Sequence, residues 1–145
     1  MYNFFNFRKK ARCFAGDVGS VSLAFIVIYL VGTLIWQQQE WLYIWLLAVY
    51  GVDSVLTIVQ RIYLRQNIFK AHRLHLYQLM ANEGKIPHLA VSTIYALVQL
   101  VINAVLIGYV FPNQLNPIYV TLAFAVIFLL TYIPLKYHFY QKKAS

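Results

Sequence analysis

Four long apolar stretches divide the chain, and short polar segments separate them. The stretches cover residues 18–36, 41–59, 88–110 and 118–135. Because an α-helix rises about 1.5 Å per residue, the shortest of them is roughly 27 Å long, close to the thickness of a bilayer's hydrocarbon core. The pattern predicts an all-α, polytopic membrane protein with about four transmembrane helices, folded as a single membrane domain over residues 1–145.

The segment between the second and third stretches, residues 60–87, has a different pattern. Its apolar residues alternate irregularly with basic and histidine residues. This pattern predicts an amphipathic loop with a short helix that lies along the membrane surface. Its basic residues are equally suited to anionic lipid headgroups, so a purely lipid-binding role for this segment stays open.

Two prolines mark the ends of predicted helices. Pro87 precedes the third stretch and is suited to the first turn of a helix. Pro134 falls inside the fourth stretch, where we expect it to kink or end the helix.

Composition and charge place this architecture in a membrane. Charged residues make up 11% of the chain, against about 25% in soluble proteins. The twelve Lys and Arg residues fall in alternate polar segments: the N-terminal arm, the 60–87 loop and the C-terminal tail. The positive-inside rule therefore predicts that both termini and the 60–87 loop are cytoplasmic. Membrane topology explains the net charge of +8, and we predict no nucleic-acid binding.

The first candidate site is Gly16-Asp17-Val18-Gly19-Ser20, at the start of the first stretch. Glycines allow the backbone to approach a ligand, and a helix start offers unpaired N–H groups to a phosphate. A carboxylate at this position would hold Mg²⁺, or alternatively Mn²⁺, beside a diphosphate. The alternative is structural, with Asp17 or Ser20 acting as a helix N-cap.

The second candidate site is the run Ala71-His72-Arg73-Leu74-His75-Leu76-Tyr77-Gln78, followed by His88. On a helix, His72 and His75 would share a face. An arginine fork and imidazole donors suit a diphosphate. A zinc site is a weaker alternative because no Cys or carboxylate ligand lies nearby in sequence.

The third candidate is Asp53, an ionisable residue inside the second predicted span. Such a residue is costly in a membrane and needs a partner or a wet cavity. We expect an ion pair with Arg61 or Arg73, with a contribution to the site as the second option.

These residues resemble a known family. The segment Phe14 to Leu23 is similar to the Gly-Asp-x-Gly-Ser segment of the polyprenyl-phosphate sugar-1-phosphate transferases, which are glycosyltransferase family 4 enzymes. Asp53-Ser54, Arg61 and the segment Phe69 to Gln78 follow in the family's order, and the last resembles its histidine loop. The details of this loop are closest to the branch that initiates O-antigen or capsule chains of the bacterial cell surface.

The resemblance implies a reaction and roles for residues. A UDP-N-acetylhexosamine would donate its sugar-1-phosphate to undecaprenyl phosphate, releasing UMP at the start of lipopolysaccharide or related cell-wall synthesis. Asp17 would be the catalytic Mg²⁺ ligand, His75 would be the second catalytic residue, and diphosphate would contact the residues Gly16, Gly19, Ser20, His72, Arg73 and His75. Supporting roles would fall to Asp53, Arg61, Gln78 and His88.

The resemblance covers only the last part of the family. Members have about ten spans and carry two upstream aspartate motifs, whereas this chain has four acidic residues in total. We therefore expect a C-terminal portion of a larger enzyme, inactive by itself, which would work with the missing N-terminal half or a second copy. The alternative is a small non-catalytic four-helix membrane protein with a lipid-binding basic loop.

Overall fold

The computed structural model describes residues 16–67 and 74–144, and these fold into helices without a β-strand. The five α-helices are α1 (Gly16–Gln38), α2 (Ala48–Tyr63), α3 (Leu76–Asn82), α4 (His88–Val105) and α5 (Pro117–Ala144). A 3-10 helix, Trp41–Leu47, precedes α2, and a π-helix, Leu106–Val110, follows α4.

Four helical stretches are long and apolar enough to cross a membrane: Val21–Gln38, Trp41–Tyr63, His88–Val110 and Pro117–Lys142. They coincide with the four stretches that hydropathy predicts. The prediction of an all-α polytopic membrane protein is confirmed.

The chain divides into two compact units, residues 1–46 and 47–145. In the first unit, α1 carries apolar residues on every side, as expected of a helix in contact with lipid. The turn after α1 contains Gln39 in a left-handed conformation, with φ of 53°. Next to it, the Glu40 carboxylate accepts a hydrogen bond from the backbone N–H of Leu42 at 3.2 Å, which satisfies a donor at the start of the 3-10 helix.

In the second unit, α2 buries its polar residues and exposes its apolar ones. Asp53, Thr57 and Arg61 are spaced by four and are all buried, whereas Val55 and Ile58 between them are exposed. A helix whose apolar side faces outward and whose polar side faces the protein interior is the arrangement that a membrane favours. The hydrophobic pattern of α2 therefore follows lipid contact rather than an apolar core.

The apolar core of the second unit lies around the short helix α3. Leu76, Leu79 and Met80 of α3 pack with residues of α4 and α5, namely Val91, Tyr132 and Phe139. Within the predicted loop 60–87, α2 continues to Tyr63 and α3 forms near the other end. The apolar side of α3 thus contacts protein, whereas the sequence suggested a helix lying along the membrane surface.

The connection from α3 to α4 comes very close to α5 at Gly84. A Cβ atom at this residue would lie 2.5 Å from the carbonyl oxygen of Met80 and 2.6 Å from Cε1 of Phe139. The following residue, Lys85, has a φ of 52°. Only glycine fits this crossing, after which Pro87 precedes the first residue of α4 as predicted.

Pro134 lies inside α5, and the helix continues ten residues beyond it to Ala144. Of the two outcomes expected for Pro134, a kink or an end, the end is wrong. Proline removes one backbone donor from the helix, but Tyr132, Lys136 and Phe139 are all buried on one side of α5 across this point. Their packing keeps the chain helical despite the lost hydrogen bond.

Candidate functional site

The most buried carboxylate that the structure describes belongs to Asp53, which is 3% exposed and surrounded by donors. Its Oδ1 accepts hydrogen bonds from the Tyr132 hydroxyl at 2.5 Å, the Leu76 backbone N–H at 3.0 Å and the Thr57 hydroxyl at 3.3 Å. Hydrogen bonds to an ionised acceptor are the stronger kind in proteins. The contacts therefore hold the carboxylate in one place.

A buried cation, the ammonium group of Lys136, is linked to this carboxylate through the side chain of Thr57. The ammonium group of Lys136 donates to the Thr57 hydroxyl at 2.7 Å, and that hydroxyl in turn donates to Asp53. Lys136 is 6% exposed. A buried charge is costly unless an opposite charge offsets it, so the Lys136-Thr57-Asp53 chain makes both charges tolerable inside the helices.

Helical spacing explains how these residues meet. Asp53 and Thr57 are four residues apart on α2, and Tyr132 and Lys136 are four residues apart on α5. Residues at this spacing share one face of a helix. Two polar pairs thus face each other within the second unit.

His75 lies beside this cluster, at the N-cap position of α3. Its backbone is extended (φ −64°, ψ 142°), and its side chain makes no capping hydrogen bond. The imidazole Nδ1 is 3.6 Å from Oδ1 of Asp53, a distance that allows electrostatic attraction but is too long for a hydrogen bond. The His75 side chain is 24% exposed. One side of the imidazole therefore faces the carboxylate while part of the ring stays accessible.

An aromatic neighbour supports the ring of His75. The ring of Tyr77 stacks on it, with centroids 5.7 Å apart and planes inclined by 24°. Burial, followed by Tyr50 and Asp53, raises the pKa of the Tyr77 hydroxyl above its ordinary value. The Tyr77 hydroxyl therefore keeps its proton to a higher pH than an exposed tyrosine would.

The other predicted supporting residues lie at different places in the second unit. Arg61 is buried at the end of α2, where Nη2 of its guanidinium donates to the backbone carbonyl of Asn67. Gln78 is half-buried in α3, and its Oε1 is buried without a hydrogen-bond partner among the described residues. His88 is exposed at the first position of α4, where its carbonyl oxygen accepts from the Ser92 hydroxyl.

The predicted phosphate and metal residues of the first candidate site belong to the first unit. The helix α1 begins at Gly16, so the backbones of Asp17 and Gly19 are in its first turns. The side chains of Asp17 and Ser20 lie outside the described residues. Asp17 belongs to the first unit and His75 to the second, and the conjunction of Asp17 with the histidine loop stays a prediction.

In the second candidate site, His72 and Arg73 also lie outside the described residues. For His75 the local conformation differs from the prediction. The sequence placed His72 and His75 on one helical face, but α3 begins only at Leu76. The physical reason is that the Asp53 carboxylate takes the N–H of Leu76, which fixes the helix start after His75.

The structure brings together Asp53 and His75, and it adds three residues that the sequence did not single out: Thr57, Tyr132 and Lys136. The spacing of four within each pair, Asp53 with Thr57 and Tyr132 with Lys136, is visible in the sequence, but nothing in the sequence shows that the two pairs meet. The Asp53 carboxylate lies 3.6 Å from Nδ1 of His75. Its expected ion pair with Arg61 or Arg73 and its contribution to the site stay predictions.

The described residues do not fit a Mg²⁺ site by themselves. Among the side chains that the structure describes, no three of His, Cys, Asp or Glu form a group that would hold a metal ion. Oδ1 of Asp53 already accepts hydrogen bonds from hydroxyl and amide donors. The ammonium group of Lys136 lies nearby, bonded to the Thr57 hydroxyl. A second cation at this carboxylate would meet repulsion from Lys136.

No protein-family model matches the chain, and neither a curated protein nor a solved structure does. The resemblance to sugar-1-phosphate transferases therefore rests on the sequence motifs alone.

Proposed function

We propose that this chain is the C-terminal portion of a bacterial membrane phosphoglycosyltransferase. The enzyme would transfer an N-acetylhexosamine 1-phosphate from a UDP-sugar to undecaprenyl phosphate and release UMP. A phosphate oxygen of the lipid forms a bond to the sugar-linked phosphorus, and the bond from that phosphorus to UMP breaks. The proposal places the protein in the cytoplasmic membrane, with both termini and the histidine loop facing the cytosol.

The observation that carries this proposal is the position of His75. This residue stands in the segment that resembles the family's histidine loop, and a buried carboxylate lies against one side of its ring while 24% of the side chain stays exposed. A histidine that only touched lipid headgroups would have no need of a carboxylate buried inside the helices. A fixed, accessible imidazole is what diphosphate binding or proton transfer requires.

The proposed roles follow from the chemistry of each side chain. His75 donates a hydrogen bond to the donor's diphosphate, and Arg73 and His72 add positive charge and further donors. Gly16 lies in the first turn of α1, where backbone N–H groups have no partner inside the helix and face a phosphate. Asp17 is the Mg²⁺ ligand that this chain contributes, and the remaining ligands come from the upstream part of the enzyme.

The alternative of a non-catalytic membrane protein with a lipid-binding loop fits α3 less well. Its three buried residues, Leu76, Leu79 and Met80, pack on α4 and α5 instead of facing outward. An amphipathic helix that binds a bilayer keeps such residues free for lipid. The apolar side of α3 therefore packs against the protein instead of facing lipid.

A binding and transfer experiment tests the proposal. The chain is reconstituted in nanodiscs, alone and after co-expression with a candidate upstream polypeptide that carries paired aspartates. Binding of radiolabelled UDP-N-acetylglucosamine and release of UMP in the presence of Mg²⁺ and undecaprenyl phosphate are then measured. We expect His75→Ala to lower binding about tenfold or more, the loss expected when a charge-assisted contact to phosphate is removed.

The matched control is His138→Ala, because His138 is an exposed histidine on α5. We expect the control to bind and turn over like the unmodified chain. Equal, measurable release of UMP by the unmodified, Asp17→Ala and His75→Ala forms, each co-expressed with the upstream polypeptide, would exclude the transferase assignment. Binding to anionic vesicles that depends on the basic loop, without any nucleotide binding, would favour the lipid-binding alternative.

A further inference from the structure

The helix α3 lacks a capping side chain of its own, and a carboxylate from another helix takes that place. His75 occupies the N-cap position without a side-chain capping bond, while Oδ1 of Asp53 accepts the N–H of Leu76 at 3.0 Å. An N-cap residue normally provides this acceptor from its own side chain. Because Asp53 provides it from α2, the side chain of His75 does not cap α3.

The last helix holds this carboxylate. The Tyr132 hydroxyl donates to Oδ1 of Asp53 at 2.5 Å, and Lys136 reaches the same carboxylate through the hydroxyl of Thr57. Tyr132 also belongs to the apolar core that α3 forms with α4 and α5. Its ring thus packs in the α3 core while its hydroxyl bonds the carboxylate that caps α3.

We infer that Asp53 is a detached N-cap of α3 and that Tyr132 and Lys136 are positioning residues for His75. The last helix of the chain, through Asp53, sets both where α3 begins and which way the His75 imidazole faces. The carboxylate 3.6 Å from Nδ1 favours a proton on that nitrogen. That the imidazole meets a diphosphate rests on the proposed function; the positioning itself does not.

The test separates the capping role of Asp53 from its charge. The full chain, labelled with ¹⁵N, is placed in nanodiscs, and the imidazole signals of His75 are assigned by their loss in His75→Gln. Amide hydrogen exchange of α3 and the ¹⁵N shifts of His75 are then measured in variants of Asp53 and Tyr132. Asp53→Asn keeps an acceptor oxygen and loses the charge, whereas Asp53→Ala loses both.

In Asp53→Ala we expect the protection of the α3 amides to fall by about twofold to thirtyfold, the range that loss of an N-cap produces. In Asp53→Asn we expect α3 to stay protected within about twofold while the ¹⁵N shifts of His75 move toward a mixture of tautomers. Tyr132→Phe removes a single hydroxyl and should move the same His75 signals. Lys136→Met should move them too. Lys136→Arg keeps the positive charge and should leave them as in the unmodified chain.

The matched control is Tyr119→Phe, because Tyr119 is 73% exposed at the other end of α5. It should leave α3 and His75 unchanged. Unchanged His75 signals in both Asp53→Asn and Tyr132→Phe, with helix content preserved by circular dichroism, would overturn the inference. If Asp53→Ala does not fold, Tyr132→Phe decides alone.

The two proposals fail separately. Shifted His75 signals together with an absence of UDP-sugar binding would leave the positioning intact and remove the transferase. Loss of UDP-sugar binding in His75→Ala, together with unmoved His75 signals in both Asp53→Asn and Tyr132→Phe, would support the transferase and overturn the positioning.

Discussion

The hydroxyl of Tyr132 lies 2.5 Å from Oδ1 of Asp53, a residue 79 positions earlier in the chain. The contact joins the last helix to the second one, at the point where the same carboxylate accepts the first N–H of α3. Buried hydrogen bonds of this kind are costly to break, because each partner left behind is desolvated without compensation. The contact therefore links stability to the position where α3 begins.

The hydroxyl of Thr57 is hydrogen-bonded to both buried charged groups, the ammonium of Lys136 and the carboxylate of Asp53. Thr57→Val removes the acceptor of the Lys136 ammonium and one donor to Asp53 without changing the volume much. We expect a loss of about 1–3 kcal/mol in the free energy of unfolding, the cost of leaving a buried polar group unsatisfied. Equilibrium unfolding in mixed SDS micelles measures it.

The matched control is Thr131→Val. The Thr131 hydroxyl is exposed and bonds only to carbonyls of its own helix, at 2.8 Å to Ile127 and 3.4 Å to Phe128. We expect a change of at most about 0.5 kcal/mol, as for most surface substitutions. Equal losses in the two variants would show that the buried bridge does not matter for stability.

The charges of Lys136 and Asp53 should depend on each other. Lys136→Met leaves the buried carboxylate without its cation, and we expect a loss of up to about 3–5 kcal/mol. Adding Asp53→Asn removes the remaining charge, so the double variant should be less destabilised than the sum of the two single ones. A double-mutant cycle by SDS unfolding measures the coupling, which we expect at about 0.5–3 kcal/mol.

Lys85 provides the control for this cycle, because its side chain is exposed in the loop before α4. Lys85→Met combined with Asp53→Asn should give additive effects within about 0.5 kcal/mol. A coupling of the same size for Lys85 as for Lys136 would argue against a specific buried pair.

The transmembrane helices could be predicted from sequence because a bilayer imposes a minimum length and an apolar composition on each one. Residues 88–110, for example, are predicted and observed as one continuous helical stretch. The continuation of α5 past Pro134 could not be predicted, because it depends on side chains packed against other helices. Local propensity favoured a break at the proline, and tertiary contacts outweighed it.

The candidate site could be predicted only in part, for a similar reason. Asp53 and His75 stand out in the sequence, one as a charge in an apolar span and the other in a basic loop. The approach of His75 to Asp53 and the hydrogen bond from Tyr132 to Asp53 depend on packing between helices that are distant in sequence. Such packing leaves no local pattern in the sequence. In the sequence Lys136 belongs with the charges of the C-terminal tail, and only the fold shows that its ammonium points to Thr57.

The close crossing at Gly84 gives a prediction about packing. Gly84→Ala would place a methyl group against the Met80 carbonyl and the Phe139 ring, so we expect a loss of about 1–3 kcal/mol in unfolding free energy. The control is Gly51→Ala in α2, where a Cβ meets nothing within 4 Å. This variant should be neutral or more stable by up to about 1 kcal/mol, because alanine favours the helix. Thermal unfolding followed by circular dichroism compares the two, and similar losses would contradict the close approach.

A final prediction concerns the N-terminal end of α2, which is capped by the side chain of Gln99 from α4. Oε1 of Gln99 accepts the backbone N–H of Val49 at 2.9 Å, while its Nε2 donates to Oδ1 of Asn103 at 2.7 Å. Gln99→Leu leaves this N–H unsatisfied among apolar helices, and we expect a loss of about 0.6–1.7 kcal/mol, the range for hydrogen bonds between membrane helices. Hydrogen exchange at Val49 should rise correspondingly, by about threefold to twentyfold. Gln66→Leu, at an exposed position after α2, is the control and should leave Val49 unchanged. If exchange at Val49 stays the same in Gln99→Leu, the start of α2 is held by backbone contacts and the α2–α4 pair does not depend on this side chain.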